Sequence, residues 1–254
     1  MNKKKYNIYN NFSFSNLSLF SIIQVFLSIF IIVFLLKSCV IEFYKVESAS
    51  MESELFEGEI VVLSRVAYFF GLPTRLPIFG INLSPYLRYY YRDLKLGDVV
   101  IIDGLISQNI NNKKFIIKRI TGLPGDSVAI EENSFGLRYH LQKSSVNNSF
   151  PLIKIPHQNE KIIIDINNIF QYENILINEC DDFYSIKNMI LANSDYKYEL
   201  KVKNDYFFVQ GDNSNVSYDS RSFGLIPQKS IIGKGLIRFF SNKKRKDKSI
   251  IKLI

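Results

Sequence analysis

The chain has 254 residues, 47% of them hydrophobic, and a formal net charge of +8. This length and composition predict one folded domain with an appendage and exclude a disordered chain. The basic run at residues 243–246 favours attraction to anionic lipid over binding of nucleic acid. The two cysteines, Cys39 and Cys180, do not make a disulfide framework.

An uncharged run at residues 17–36 is long enough, as a helix, to cross a hydrocarbon core of about 30 Å. We predict a transmembrane helix here, after an amino-terminal tail at residues 1–16 and before a folded domain at 40–254. Three lysines at positions 3–5 place the tail in the cytoplasm and the domain outside the cytoplasmic membrane. Two alternatives stay open, a cleaved signal peptide and lipoprotein processing at Cys39.

After the span, short runs of β-branched and aromatic residues alternate with turn residues, which predicts a series of strands. The predicted strands lie at residues 40–46, 59–67, 96–102, 115–120, 127–130, 206–210 and 231–240. This pattern predicts a mainly β domain, an antiparallel sheet or barrel. Residues 131–205 are expected to form a variable, mostly β insertion without chemistry. Residues 68–94, rich in aromatics and arginine, are either a membrane-interface contact or a packed loop.

One of these strands carries a lysine among apolar residues. Period-two alternation places Lys118 on the same face as Ile116 and Ile120. Burial of an ammonium disfavours its charged form and lowers its pKa, which suits a lysine to act as a general base. In the alternative interpretation the strand lies at an edge, and Lys118 extends along the surface to reach water.

A serine close to the membrane completes a possible Ser-Lys hydrolase. Ser50 follows Leu36 by fourteen residues, so it stays near the bilayer surface. A neutral lysine amine can remove the serine proton during attack and return it to the leaving amine. His140 and His157, the two histidines, lie in the insertion without a flanking acid or serine motif. A Ser-His-Asp triad and a metal site are therefore not expected.

Four segments follow the span in order: SASM at residues 48–51, LGDVV at 96–100, KRITGLPGD at 118–126 and the run from Gly211 to Gly224. In this order they resemble the sequence boxes of the type I (leader) signal peptidases. The resemblance implies a single-pass membrane serine endopeptidase that cleaves signal peptides from exported preproteins. It implies small substrate residues at positions −1 and −3, and neither a cofactor nor a metal. The expected partners are signal peptides and membrane lipid, without nucleic acid.

The same resemblance implies roles for individual residues. Ser50 corresponds to the nucleophile and Lys118 to the general base. The Ser50 backbone N–H and the Ser48 hydroxyl correspond to an oxyanion hole, and Ser217 to a residue that orients Lys118. The residues that correspond to structural supports near the site are Arg119, Asp212, Asp219 and Arg221.

The chain also departs from the family pattern. Glu52 and Glu54 put two acids close to the nucleophile, where the family usually has a Pro-Thr-Leu segment. Ser214 and Val216 stand where arginine and asparagine are common. These departures motivate a second interpretation, a catalytically silent, membrane-anchored relative that binds exported chains or export components. A self-cleaving intracellular repressor is disfavoured, because the chain lacks a DNA-binding module and has a predicted span.

Overall fold

The structure is a computed structural model. It describes residues 19–71, 88–104, 115–133, 136–141, 152–239 and 251–254, excepting the side chains of 34–39, 130–137 and 141. Several sequence predictions lie outside these residues, namely those for the tail at 1–16, the basic run at 243–246 and most of the segment 68–94.

A long helix, α1 (Leu19–Cys39), precedes the strands. It overlaps the predicted span at 17–36, of which residues 17 and 18 lie outside the described part. The side chains of residues 19–33 are almost all apolar and exposed. Among the described residues, no helix is both long enough and apolar enough to cross a membrane.

An antiparallel sheet forms the body of the domain, with the strand order β1-β2-β14-β5-β6-β12-β13. Its longest strand, β14, pairs with β2 along one side and with β5 and then β15 along the other. The strands of this sheet are β1 (Ile41–Lys45), β2 (Ile60–Ser64), β5 (Val99–Asp103), β6 (Phe115–Gly122), β12 (Tyr206–Gln210), β13 (Ile226–Pro227), β14 (Ile231–Phe239) and β15 (Ile251–Leu253). The prediction of a mainly β, antiparallel domain is confirmed.

Within the described part of the chain, the remaining strands form three smaller antiparallel sheets, β3-β4, β8-β7-β9 and β10-β11. They are β3 (Phe69–Gly71), β4 (Arg88–Tyr90), β7 (Ser127–Asn133), β8 (Gly136–Leu141), β9 (Leu152–Lys154), β10 (Lys161–Ile164) and β11 (Tyr198–Lys201). The shorter helices are α2 (Ile169–Glu179), α3 (Phe183–Ala192) and α4 (Ser220–Phe223).

The main sheet is buried on both faces around β5, whose five residues are all buried. Val100 and Ile102 pack with Ile120 on one face, whereas Val99 and Ile101 belong to the hydrophobic cluster on the other. Because side chains alternate along a strand, one central strand joins two cores. This burial on both faces fixes the register of the neighbouring strand β6. A shift of one residue would move Lys118 to the opposite face of the sheet, into the other hydrophobic cluster.

The prediction that residues 131–205 are mostly β is wrong for the described part of this insertion. Helices α2 and α3 span 11 and 10 residues there. Their buried residues Ile169, Leu176, Phe183 and Ile190 pack in one core cluster with Phe208 of β12. Apolar residues spaced at i, i+3 and i+7 meet on one side of a helix, and packing on the sheet outweighs the middling helix propensity of Ile and Asn.

Candidate active site

Ser50 lies in a 3-10 turn, Ala49–Met51, between β1 and β2. The turn is anchored by its neighbours, because Met51 and Leu55 are 1% and 0% exposed and belong to the same core cluster as Val99. Ser50 itself is buried. A serine held by a rigid core has little freedom to leave its position, which is the requirement for a preorganised nucleophile.

Lys118 lies in the middle of β6, opposite Val100 of β5. Since β6 is hydrogen-bonded to β5 on one side and β12 on the other, the edge-strand interpretation of Lys118 is wrong. The side chain does not reach water along the surface, because the residue is only 3% exposed. Its Nζ donates a hydrogen bond to Ser217 Oγ at 2.9 Å.

One groove brings these residues together. A cavity of about 560 Å³ is lined by Ser48, Ser50 and Lys118. The Oγ atoms of Ser48 and Ser50 are 3.2 Å apart. The rest of the lining is mainly apolar and includes Phe43, Val46, Met51, Ile116, Val216 and Tyr218. A serine and a buried lysine thus share a mostly apolar groove of the size that protein ligand sites have.

A hydrogen-bonded network supports the lysine from behind. Ser217 Oγ donates to Asp219 Oδ2 at 2.6 Å. Asp219 is 0% exposed, and it also accepts bonds from the Gly211 N–H at 2.9 Å and from Nε and Nη2 of Arg221 at 2.9 and 2.7 Å. Burial by itself would raise the pKa of Asp219, but hydrogen bonds from Arg221, Ser217 and Gly211 hold that pKa below its ordinary value. Asp219 is therefore a carboxylate that fixes Ser217.

The other two expected supports pair with each other. Arg119 forms a bidentate pair with Asp212, with Nε to Oδ1 at 2.8 Å and Nη2 to Oδ2 at 2.7 Å. Its Nη1 also donates to the Gly97 carbonyl at 2.8 Å. These hydrogen bonds join three of the four sequence boxes, because Gly97 belongs to the box at 96–100, Arg119 to the box at 118–126 and Asp212 to the run at 211–224. Such fork-to-fork pairs fix geometry as well as adding energy.

Two residues of the last box contribute more than the sequence interpretation assigned to them. The Asn213 N–H donates to the Ser50 carbonyl at 3.0 Å, and its Nδ2 donates to the Ala49 carbonyl at 3.2 Å. A β-carbon on Gly211 would lie 2.2 Å from Ser217 Oγ and 2.4 Å from the Ser50 carbonyl oxygen. The sequence contains one signal for this contact at Gly211, because a glycine next to a strand often marks a place where another segment of backbone approaches closely.

The two acids that follow Met51 do not line the groove. The Glu54 carboxylate lies 3.4 Å from Lys252 Nζ of β15. Glu52 is half-buried and, like Glu54, is absent from the described lining of the groove. Within the described ranges, no cluster of three or more His, Cys, Asp or Glu residues has the arrangement of a metal site.

The Asp219 network gives a prediction for the pH dependence of stability. A carboxyl group with a lowered pKa stabilises the fold above its unfolded pKa of about 3.9, and this contribution disappears as the pH falls through the lower folded value. Replacing Arg221 by methionine removes the guanidinium bonds and raises the pKa of Asp219. We therefore expect Arg221→Met to be less stable than the wild type at pH 7, and the difference between their Tm values to shrink as the pH falls from 7 to 3, because the wild type alone loses this contribution.

The matched control for this experiment is Lys161→Met, which removes an exposed ion pair with Glu199. Exposed pairs contribute little, so this profile is expected to follow that of the wild type. Parallel profiles for the Arg221 variant and the wild type would contradict the assignment of Asp219 as a guanidinium-stabilised carboxylate.

The chain is similar to several known proteins that are named signal peptidase I. Signal peptidase I of Buchnera aphidicola subsp. Acyrthosiphon pisum is 24% identical over 246 residues, which cover 83% of this chain and 72% of the relative. Signal peptidase I P of Bacillus subtilis subsp. natto is 26% identical over 222 residues, covering 86% and 87% of the two chains. A crystal structure of a signal peptidase I from Enterococcus faecalis V583 matches 56% of this chain and 97% of its own at 21% identity, with a TM-score of 0.25.

The family model described as "Signal peptidase, peptidase S26" matches residues 19–240. This range includes the 3-10 turn that carries Ser50, β6 with its lysine, the insertion and the Gly-Asp-Asn turn. The chain therefore belongs to the signal peptidase family, peptidase S26.

Proposed function

We propose that this chain removes signal peptides from exported preproteins with Ser50 as the nucleophile and Lys118 as the general base. Membership of the family makes the chain a signal peptidase, a serine endopeptidase that acts on the signal peptides of preproteins. The observation that carries the residue roles is the buried Lys118, which lines one groove with Ser50 and is held by Ser217.

The hydrogen bonds behind Lys118 support a neutral amine aimed at the serine. The one hydroxyl proton of Ser217 is donated to Asp219, so its oxygen can only accept from Lys118. In the neutral state, the amine keeps two protons and one lone pair. A proton directed at Ser217 leaves the lone pair available for the proton of Ser50.

The proposed reaction has two steps, formation of an acyl-enzyme and its hydrolysis. The Lys118 amine takes the proton of Ser50 Oγ while this oxygen attacks the scissile carbonyl carbon, and a tetrahedral oxyanion forms. Collapse of this intermediate breaks the C–N bond, and the Lys118 ammonium gives its proton to the leaving amine of the mature chain. Water then attacks the acyl-enzyme while the neutral amine of Lys118 accepts its proton. The bond between the acyl carbon and Ser50 Oγ breaks, the Lys118 ammonium returns the proton to Ser50 Oγ, and the signal peptide leaves with a carboxyl end.

The developing oxyanion needs donors close to the attacked carbon. We assign this role to the Ser50 backbone N–H and the Ser48 hydroxyl. The position of Ser48 Oγ, 3.2 Å from Ser50 Oγ on the same wall of the groove, supports the assignment. The two hydrogen bonds from Asn213 to the carbonyls of Ala49 and Ser50 fix the backbone of this turn.

The test of this function is cleavage of a model preprotein with alanine at −1 and −3 by the detergent-solubilised full chain. The matched substrate carries leucine at −1, and we expect it to remain uncut. Cleavage of neither substrate, or of both equally, would contradict the proposal. The catalytically silent relative is disfavoured because Ser50 and Lys118 line one groove and Lys118 donates a hydrogen bond to Ser217.

We also propose the topology of a tail at 1–16, a membrane helix at 17–36 and an extracytoplasmic catalytic domain at 40–254. The exposed apolar side chains of α1, such as Phe20, Phe26 and Phe30 at 67%, 69% and 62%, support this proposal. A helix that is apolar all round is stable when hydrocarbon or protein covers it. Anionic lipid is the proposed partner of the basic run at 243–246.

Protease accessibility tests this topology. Protease added to intact spheroplasts is expected to digest the domain after residue 40 and to spare an epitope placed in residues 1–16. The control is a cytoplasmic marker protein, which must stay intact until the membrane is opened. If the domain is protected and the tail is digested, the orientation is the reverse of the one proposed.

A further inference from the structure

A second cavity adjoins the groove and has no assigned role. It has a volume of about 360 Å³, and its walls include Tyr139, Glu173, Asn174, Tyr218 and Phe223. Tyr218 also lines the groove that contains Ser50 and Lys118. The preceding residue, Ser217, is the one that contacts the lysine amine. Tyr218 is therefore a wall residue of both the second cavity and the catalytic groove.

The walls of this cavity are held in place by the insertion. Asn174 of α2 is 6% exposed, and its Nδ2 donates to the Phe223 carbonyl at 2.6 Å. Gly224 has a φ of +81°, and a β-carbon there would lie 3.1 Å from Asn174 Cγ and 3.2 Å from Tyr139 Cζ. The ring centroids of Tyr218 and Phe223 are 5.4 Å apart, and the rings are tilted by 60° relative to each other. Three separate segments thus meet closely around one space beside the catalytic turn.

One acidic side chain lines the cavity, and it is already paired with a lysine. Glu173 is the charged residue among its described lining, and Lys187 Nζ bonds its Oε1 at 2.6 Å. The second carboxylate oxygen, Oε2, makes no hydrogen bond within the described residues. Burial and then the charge of Glu173 raise the pKa of Tyr139 to about 12, so this phenol stays neutral and can donate or accept a hydrogen bond.

A carboxylate oxygen beside aromatic rings is suited to a cation on an apolar stem. The volume accommodates one long side chain rather than a folded segment. We propose that this cavity is a substrate subsite for a lysine or arginine side chain close to the scissile bond. The inference rests on the proposed function, since it concerns the same substrate.

The position of that substrate residue follows from the geometry of extended chains. Side chains of an extended peptide alternate, so residues −1 and −3 point to one side and residues −2 and +1 to the other. The small residues at −1 and −3 occupy the groove. The subsite beyond Tyr218 is therefore assigned to position −2 or +1.

The experiment compares preproteins that differ in one residue and uses the solubilised full chain. Substrates with alanine at −1 and −3 carry either lysine or methionine at −2, or the same pair at +1. We expect kcat/KM to favour lysine by about tenfold at one of these positions. Glu173→Gln should reduce this ratio to about one, and Lys187→Met should raise it about threefold by freeing the other carboxylate oxygen.

Glu199→Gln is the matched control, because Glu199 is an exposed glutamate of the same insertion that pairs with Lys161. It is expected to leave the lysine-to-methionine ratio unchanged. A ratio near one at both positions in the wild type, or one that Glu173→Gln does not alter, would overturn the subsite while cleavage itself continues. Failure of the wild type to cut any of these substrates would instead overturn the proposed function, and the subsite with it.

Discussion

Replacing Ser50 by alanine is expected to lower kcat for a model preprotein by roughly 10⁶-fold, the scale of loss when a nucleophile and base act as one unit. Lys118→Ala should produce a loss of the same order. The double variant should be no worse than either single one, because both changes remove the same step. Single-turnover cleavage of the preprotein with alanine at −1 and −3 measures all three.

Lys118→Arg separates charge from base chemistry. A guanidinium stays protonated, so it cannot accept the proton of Ser50, and this variant should be as inactive as Lys118→Ala. For the wild type, activity should rise with pH, because only the neutral amine of Lys118 can act as a base. A profile that is flat from pH 6 to 10 would contradict the neutral-amine mechanism.

The control for these variants is Lys161→Ala, which removes an exposed lysine of the insertion and should retain wild-type kcat. Each variant must also unfold at nearly the wild-type Tm, so that a loss of activity reports the chemistry. Near-wild-type turnover by a folded Ser50 or Lys118 variant would mean that another pair of residues performs the reaction.

The strands that carry the candidate site were predictable because their sequences satisfy several local rules together. β6 combines β-branched residues with a Gly-Leu-Pro-Gly turn, and its alternation correctly placed Ile116 and Ile120 on the same face, where both belong to one hydrophobic cluster. The strand β12 was predicted at Tyr206–Gln210, which are its bounds in the structure. Such signals are local, so a single sequence contains them.

The helices of the insertion were missed because short apolar runs are ambiguous. The run at 175–177 fits a strand as well as a helix segment, and Asn-rich flanks have modest helix propensity. The longer spacing of Ile169, Tyr172 and Leu176 contained the helical signal. Packing against Phe208, which is far away in sequence, decides the outcome.

The long-range contacts of the site were likewise beyond a local interpretation. Asn213 reaches the carbonyl of Ala49, 164 residues earlier. Lys118 reaches Ser217 across 99 residues. A resemblance to family boxes implied the second contact but not the first. The ion pair between Glu54 and Lys252 could not be predicted from the sequence either. Lys252 lies in β15, and only the structure shows that β15 pairs with β14.

The second large effect is expected from Gly211→Ala, which adds a single methyl group. That carbon would lie 2.2 Å from Ser217 Oγ and 2.4 Å from the Ser50 carbonyl oxygen, well inside any normal contact. The φ of Gly211 is not positive, so the penalty is steric and does not come from the backbone conformation. The nucleophile turn and the residue that holds Lys118 must both move to make room.

A displacement of about 1 Å can cost about 10²-fold in rate, and here both the Ser50 turn and Ser217, which accepts the hydrogen bond of Lys118, must shift. We therefore expect Gly211→Ala to lower kcat by at least about 10²-fold, with an overpacking cost of roughly 1–3 kcal/mol in stability. The measurements are kcat on the model preprotein and the free energy of unfolding in urea.

Gly58→Ala is the control that separates strain from displacement. Gly58 has a φ of +88° and no atom within 4 Å of an added β-carbon, so alanine there strains the backbone without a clash. This variant should lose about 1 kcal/mol of stability and keep its kcat. If Gly211→Ala also kept its kcat while losing stability, the turn could shift without disturbing Ser50 and Lys118, and the close contact at Gly211 would have no part in positioning them.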